Sequence, residues 1–222
     1  MSIKDLPLRE RKYALTKFAI LNAAKEKLKD KPLSEITVSE LCSMVPISEV
    51  TFYKYFQKKS DLVLYFMQLW SIDLLWHIKK QKIQPGLGVI EEIFEFNSKV
   101  VEESPNIMAE ILIMVAHTRH EIKFKDLQRA ERLLFAANIK CPEEIHERDL
   151  HEIILPNLQI ACDQKDLPKN IDLKKVFLSL LSILYGVPMS ILYTSYTNVH
   201  KKIQSLYRTQ LQNLWQTLRL EA

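Results

Sequence analysis

Apolar residues recur along most of the chain at intervals of three and four, the spacing that gathers side chains on one face of an α-helix. No stretch alternates apolar and polar positions as a half-buried strand would. The first run predicts a helix over about Arg9–Asp30, with Leu15, Phe18, Ala19, Leu21, Ala24 and Leu28 as its stripe. Lys31 and Pro32 stop it, because the residue before a proline is driven out of the helical region. Thr37-Val38-Ser39-Glu40 reads as a capping box that opens a second helix: the Thr37 hydroxyl accepts from the Glu40 amide while the Glu40 carboxylate reaches back to the Thr37 amide. That helix ends near Val45. Pro46 has no amide hydrogen to donate, and Ser48 can cap a third, short helix over about Glu49–Tyr55. A fourth begins near Lys59 and runs to about Lys82, before Pro85 and Gly86. Further helices are predicted at about 87–103, 106–118, 120–138, 143–164, 172–195 and 200–219, divided by Pro105, Pro142, Pro168 and a break at Tyr196-Thr197-Asn198.

Composition supports an all-α reading. Three glycines in 222 residues leave little material for phosphate-cradling loops or tight hairpins. Cys42, Cys141 and Cys162 lack the paired spacing of a zinc site or a disulfide framework, which fits a reducing cytoplasm. The first residues are charged and do not resemble a secretory signal. Residues 1–62 hold twelve Lys or Arg against eight Asp or Glu, so the whole net charge of +4 sits at the front, where a polyanion would be met. Val176 to Val199 contains no charged residue and approaches the roughly 20 apolar residues of a membrane span. Its Ser179, Ser182, Gly186, Pro188, Ser190, Thr194, Ser195 and Asn198, with an amphipathic helix directly behind, favour a buried or subunit-contact helix and no membrane.

Helix, tight turn and short helix between Thr37 and Tyr55 form a helix-turn-helix pattern, in which the second helix enters the major groove. Ile47, Phe52 and Phe56 can turn inward with Leu41 and Val45. Ser48, Glu49, Val50, Thr51, Tyr53, Lys54 and Tyr55 then face outward. Phenolic hydroxyls and long ammonium groups suit phosphate oxygens, and the shorter groups at the helix start can approach bases. Glu49, an acid close to a polyanion, can be stabilised by the helix dipole or can accept from the exocyclic amine of cytosine.

The stretch from about Ile20 to Leu62, above all Ile47-Ser48 followed by Thr51-Phe52-Tyr53, Tyr55-Phe56, Lys59 and Leu62, resembles the DNA-binding domain of the TetR family of bacterial transcriptional regulators. The resemblance implies phosphate contacts from Thr37, Tyr53, Tyr55 and Lys59, and base contacts from Ser48, Glu49, Val50 and Thr51. It departs at Pro46, where glycine is usual, and at Lys58, where a small N-cap is usual. The implied organisation is a helix-turn-helix domain over residues 1–62, with the fourth helix leading onward to about 82, and an effector-binding and dimerisation domain over 63–222. The implied protein is a cytoplasmic homodimer, in all expectation a repressor, that binds a near-palindromic operator in double-stranded DNA and is released by a small-molecule effector.

Phe66, Trp70, Phe94, Phe96, Met108, Met114, His117, Phe135 and Tyr185 are candidates to line an effector pocket, although residues of this type at helical spacing are commonly plain core. Leu180, Leu184, Val187 and Ile191 of the uncharged helix, with Leu211, Leu214 and Leu218 of the last, are the expected dimer contact. His117, Arg119, His120 and Glu121 fall short of a metal ligand set, so neither metal nor cofactor is expected. Nothing in the sequence matches a nucleophile elbow or a zinc-hydrolase motif. Two alternatives from other classes remain: an all-α small-molecule-binding protein or enzyme that keeps the helix-turn-helix only as packing, and a membrane-anchored regulator.

Overall fold

The computed structural model describes residues 5–103, 105–117, 124, 126–139, 145–194 and 199–220. Among them there are ten α-helices and no strand: α1 Leu8–Lys27, α2 Val38–Met44, α3 Glu49–Tyr55, α4 Asp61–Gln81, α5 Leu87–Glu103, α6 Pro105–His117, α7 Arg129–Ile139, α8 Leu150–Asp163, α9 Leu173–Thr194 and α10 Val199–Leu220. The chain folds as two compact units, one of Met1–Trp76 with Ala109–Arg148, the other of His77–Met108 with Asp149–Ala222. Cys141, Arg119, His120, Glu121 and the expected break at 196–198 lie outside the described residues.

In the first unit α1 packs on α2 and on α7, and α2 packs on α3. Leu6 and Ala14 meet Ala130 and Leu133, with Leu134 at the edge of this small cluster. Of the expected stripe of α1, Leu21, Ala24 and Leu28 are buried and Phe18 and Ala19 half-buried, joined by buried Ala14, Ile20 and Ala23, while Leu15 is 51% exposed. Residues 14, 20, 21 and 24 keep a helical spacing, and position 15 lies about 100° round the helix from position 14.

Two helices start later than the sequence pattern suggested. Residues 126–128 are not helical, because the Glu131 carboxylate accepts from the Gln128 amide at 2.9 Å and so fixes the first turn of α7 at Arg129. Residues 145–149 are likewise irregular, and α8 opens at Leu150 behind a capping box in which Asp149 and Glu152 satisfy each other's amides.

The second unit is built on α5, α8, α9 and α10. Ile203, Tyr207, Leu211 and Trp215 recur every four residues along α10 and are all buried. The Tyr207 hydroxyl donates to the Leu184 carbonyl at 2.7 Å and accepts from the Asn97 amide at 2.9 Å, and its ring meets Phe94 edge to face. Burial raises the Tyr207 pKa, so the phenol stays neutral and keeps both bonds. Ahead of α5, Gly86 takes φ +93° and donates to the Asn157 side chain at 2.9 Å. A Cβ there would be strained by that φ and would approach Gln164 Oε1 to 2.9 Å.

Leu173–Ile191 is long and apolar enough to cross a membrane, with a mean hydropathy of 1.3. In this fold, however, Val176, Leu180, Leu184 and Ile191 of that helix are buried within the protein. The residues expected at the dimer contact differ in exposure within the single chain. Leu180, Leu184, Ile191 and Leu211 are core residues of their own chain, and Val187, Leu214 and Leu218 are half-buried. The face that α9 leaves open carries Leu178 (60% exposed), Ser182, Gly186, Met189 (65%) and Tyr193 (91%).

Candidate nucleic-acid interface

The helix-turn-helix is held by caps and by two fully buried rings. At the start of α2 the Thr37 hydroxyl accepts from the Glu40 amide at 3.1 Å, and the Glu40 carboxylate accepts from the Thr37 amide at 2.8 Å, which completes the capping box. Lys31 adds an ammonium 2.7 Å from the other carboxylate oxygen. At α3 the Ser48 hydroxyl accepts from the Thr51 amide at 3.2 Å and lies 2.9 Å from the Thr51 hydroxyl. Between the two helices the Ile47 amide donates to the Cys42 carbonyl at 3.1 Å, so the Pro46 turn closes without glycine. Phe52, Phe56 and Leu41 are all buried, the two rings 5.8 Å apart, and Val45 and Ile47 are half-buried. Cys42 is a buried free thiol whose pKa is raised, first by burial and then by Glu49, so it is not a reactive thiolate.

These anchors fix which residues α3 presents. Ser48, Glu49, Val50, Tyr53 and Lys54 are exposed, Val50 at 70% and Tyr53 at 50%. Thr51 is half-buried, tied back to Ser48. Tyr55 is half-buried as well, its ring 4.9 Å from that of Tyr13 on α1. Lys59 differs more. Its ammonium donates to the carbonyls of Leu33 (2.8 Å), Ser34 (3.4 Å) and Ile36 (2.7 Å), which occupies all three N–H donors in clamping the turn between α1 and α2. Lys58, at the entry to α4, has its amide accepted by Asp61 at 3.1 Å, a carboxylate reaching back in place of a small cap.

Glu40 gives this corner a pH signature. Lys31, then the Thr37 amide, holds the carboxyl down from its ordinary 4.5 to about 2. A group with a lowered folded-state pKa stabilises the fold fully above its unfolded value, and that contribution fades as pH falls towards the folded one. The stability difference between wild type and Glu40→Gln is therefore expected to be constant above pH 4.5 and to shrink steadily down to about 2, in denaturant melts taken across that range. A difference independent of pH would remove the Lys31–Glu40 pair from the account.

The candidate effector residues are divided between the two units. Phe66, Trp70, Met114, His117 and Phe135 belong to the first unit, and Phe94, Phe96, Met108 and Tyr185 to the second. His117 is exposed at the end of α6, Phe66 lies under the Lys25 ammonium, and Phe135 packs on Phe18. Met108 is buried, and burial pushes Tyr185 up to about 12. The second unit has a groove of about 440 Å³ between α5 and α10, lined by Ile83, Gly88, Phe94, Tyr207, Leu211 and a rim of Glu91, Glu92, Glu95, Gln204, Arg208 and Gln212. Of the candidates Phe94 alone borders it. The rim is internally paired: Glu95 with Gln204 and Arg208, Glu92 with His77 at 2.9 Å.

A capped two-helix unit with an exposed second helix is the arrangement by which a helix-turn-helix presents one helix to the major groove of DNA. Residues 20–66 match the family of bacterial regulatory proteins of the tetR type. That segment runs from within α1 to within α4 and takes in the whole helix-turn-helix. No curated protein matches the sequence. Among solved structures, Salmonella enterica GusR is similar at 17% identity and TM-score 0.54, over 91% of this chain and 95% of that one. FadR from Bacillus subtilis, solved with stearoyl-CoA, is similar at 11% identity and TM-score 0.57, over 89% and 96%. AibR, solved with isovaleryl coenzyme A and operator DNA, is similar at 14% identity and TM-score 0.51, over 87% and 97%. At these identities the likeness is one of fold.

Proposed function

We propose that the protein is a homodimeric transcriptional repressor that binds a near-palindromic operator in double-stranded DNA and is released by a small-molecule effector. The observation that carries the reading is the exposed row on α3. Val50, the one aliphatic residue of α3, holds bare methyl groups in water at 70% exposure in the first turn of that helix, while Phe52 is fully buried. A thymine methyl in the major groove is the natural partner for such a group. Ser48, Glu49, Val50 and Thr51 are assigned to base edges, and Tyr53 and Lys54 to phosphates. Thr37, Tyr55 and Lys59, whose polar or aromatic groups already have partners, are assigned to holding the DNA-facing elements in place.

Residues 1–62 then serve DNA and residues 63–222 the effector and the second subunit, with the protein acting in the cytoplasm and not as an enzyme. The second subunit is assigned to the open face of α9, Leu178, Ser182, Gly186, Met189 and Tyr193. A Cβ at Gly186 would meet nothing within 4 Å, so a partner helix can come close there. FadR and AibR are each described with a coenzyme A thioester, and by that analogy the effector is a small molecule.

Replacing Lys54, which is exposed, tests the phosphate role. Each neutralised phosphate adds about 0.9 to the slope of log affinity against log salt. Lys54→Ala is expected to lower that slope by about one and to weaken binding to all duplexes alike. Wild-type protein with no salt-dependent affinity for duplex DNA would overturn the DNA-binding reading and restore the alternative of an all-α carrier or enzyme.

A further inference from the structure

Lys17 and Glu131 form an ion pair of 2.7 Å whose side chains are 15% and 1% exposed. One lies on α1 and the other on α7, and neither falls within the segment that matches the family. The Lys17 ammonium sits 4.2 Å from the centre of the Tyr65 ring, 5.7 Å from that of Phe56 and 5.9 Å from that of Tyr13. Tyr13 in turn packs on Tyr55, the last residue of the recognition helix. Glu131 is itself immobilised, its other oxygen accepting from the Gln128 amide.

Burying two charges is a poor way to add stability, since the desolvation cost commonly cancels their attraction. What such a pair supplies is a fixed geometry. The apolar contact between α1 and α7 gathers Ala14, Ala130 and Leu133, with Phe18 against Phe135; such contacts are non-directional and fix rotation less sharply than a charged pair does. The ion pair, with three rings around the ammonium, adds a directional contact at this seam.

The geometry points to Glu131 as a positioning residue for DNA binding: from α7 it holds Lys17, and through Lys17, Tyr13 and Tyr55 it sets the orientation of the recognition helix. α7 is thereby the lever by which a change outside the helix-turn-helix alters DNA affinity. This inference rests on the DNA-binding reading.

The test uses the full-length protein and a duplex that the wild type binds. Glu131→Gln is expected to weaken binding at least about fivefold, within the usual range of coupling between sites, with the salt slope unchanged because no phosphate contact is lost. Lys17→Met paired with Glu131→Leu removes both charges, so thermal stability should stay close to wild type while affinity remains low. Lys17→Arg should retain affinity. Tyr13→Leu should lose affinity to a similar extent, and its effect should not add to that of Glu131→Gln. A pair that only stabilises the fold would give wild-type affinity in the charge-free double variant, and that result overturns the inference, as does wild-type affinity in Tyr13→Leu. Absence of DNA binding by the wild type itself would strike the functional reading instead.

Discussion

Placing glutamates at Leu178 and Met189 is expected to give a folded monomer with little affinity for the operator. Both side chains are more than half exposed in the single chain, so charges there disturb no packing within it. Across a twofold axis the same four carboxylates would face one another on an otherwise uncharged surface, and burying them unpaired costs several kcal/mol each. Loss of the second recognition helix removes the effective concentration that links two half-site contacts, about a 10²–10⁴-fold loss of affinity. Sedimentation and DNA binding measured on the same preparation decide the matter. A double variant that still sediments as a dimer moves the contact away from α9. The same charges at Leu184 and Ile191 would be a misleading experiment, because those side chains are 2% and 8% exposed and their ionisation would disrupt the bundle of α9 and α10.

Phe52→Ala should have the largest effect on stability. The ring is fully buried, 5.8 Å from Phe56 and edge-on to Tyr53 at 5.4 Å. Truncating a buried phenylalanine costs about 3–5 kcal/mol through lost transfer energy and the cavity left behind. That is a large share of the roughly 5–15 kcal/mol by which a domain is stable. Melting is expected to shift strongly, with DNA binding falling in step with the folded fraction. A melt within a degree or so of wild type would show that Phe52 is not the pin between α2 and α3.

What could be read from the sequence was local. The α2 capping box and the limits of α3 follow from Thr37, Glu40, Pro46 and Ser48, all within a few residues of the structure they cause. The Asp149-x-x-Glu152 box that opens α8 carried the same signal as Thr37-x-x-Glu40 and marks the true start of that helix. Non-local features were hidden. Lys17 of α1 finds its partner in Glu131, far along the chain, and the inward turn of Lys59 depends on carbonyls that only the folded turn at 33–36 brings together. In α9 the uncharged stretch from Val176 onward gave no sign of which stripe is core, so Leu184 and Ile191 looked as suitable for a partner as Leu178 and Met189. Effector residues were illegible for a related reason: an aromatic ring looks the same in sequence whether it lines a cavity or fills one.

Selection of preferred duplexes from a random pool by the purified wild-type protein tests the central claim most directly. Two recognition helices related by a twofold axis require two inverted half-sites, spaced by about one helical turn of ~10 base pairs or a multiple of it. The account predicts a near-palindrome of that kind, with its most constrained positions four to six or so base pairs from the centre or further by whole turns. Recovery of a single unrepeated half-site, or of no sequence at all, would contradict it.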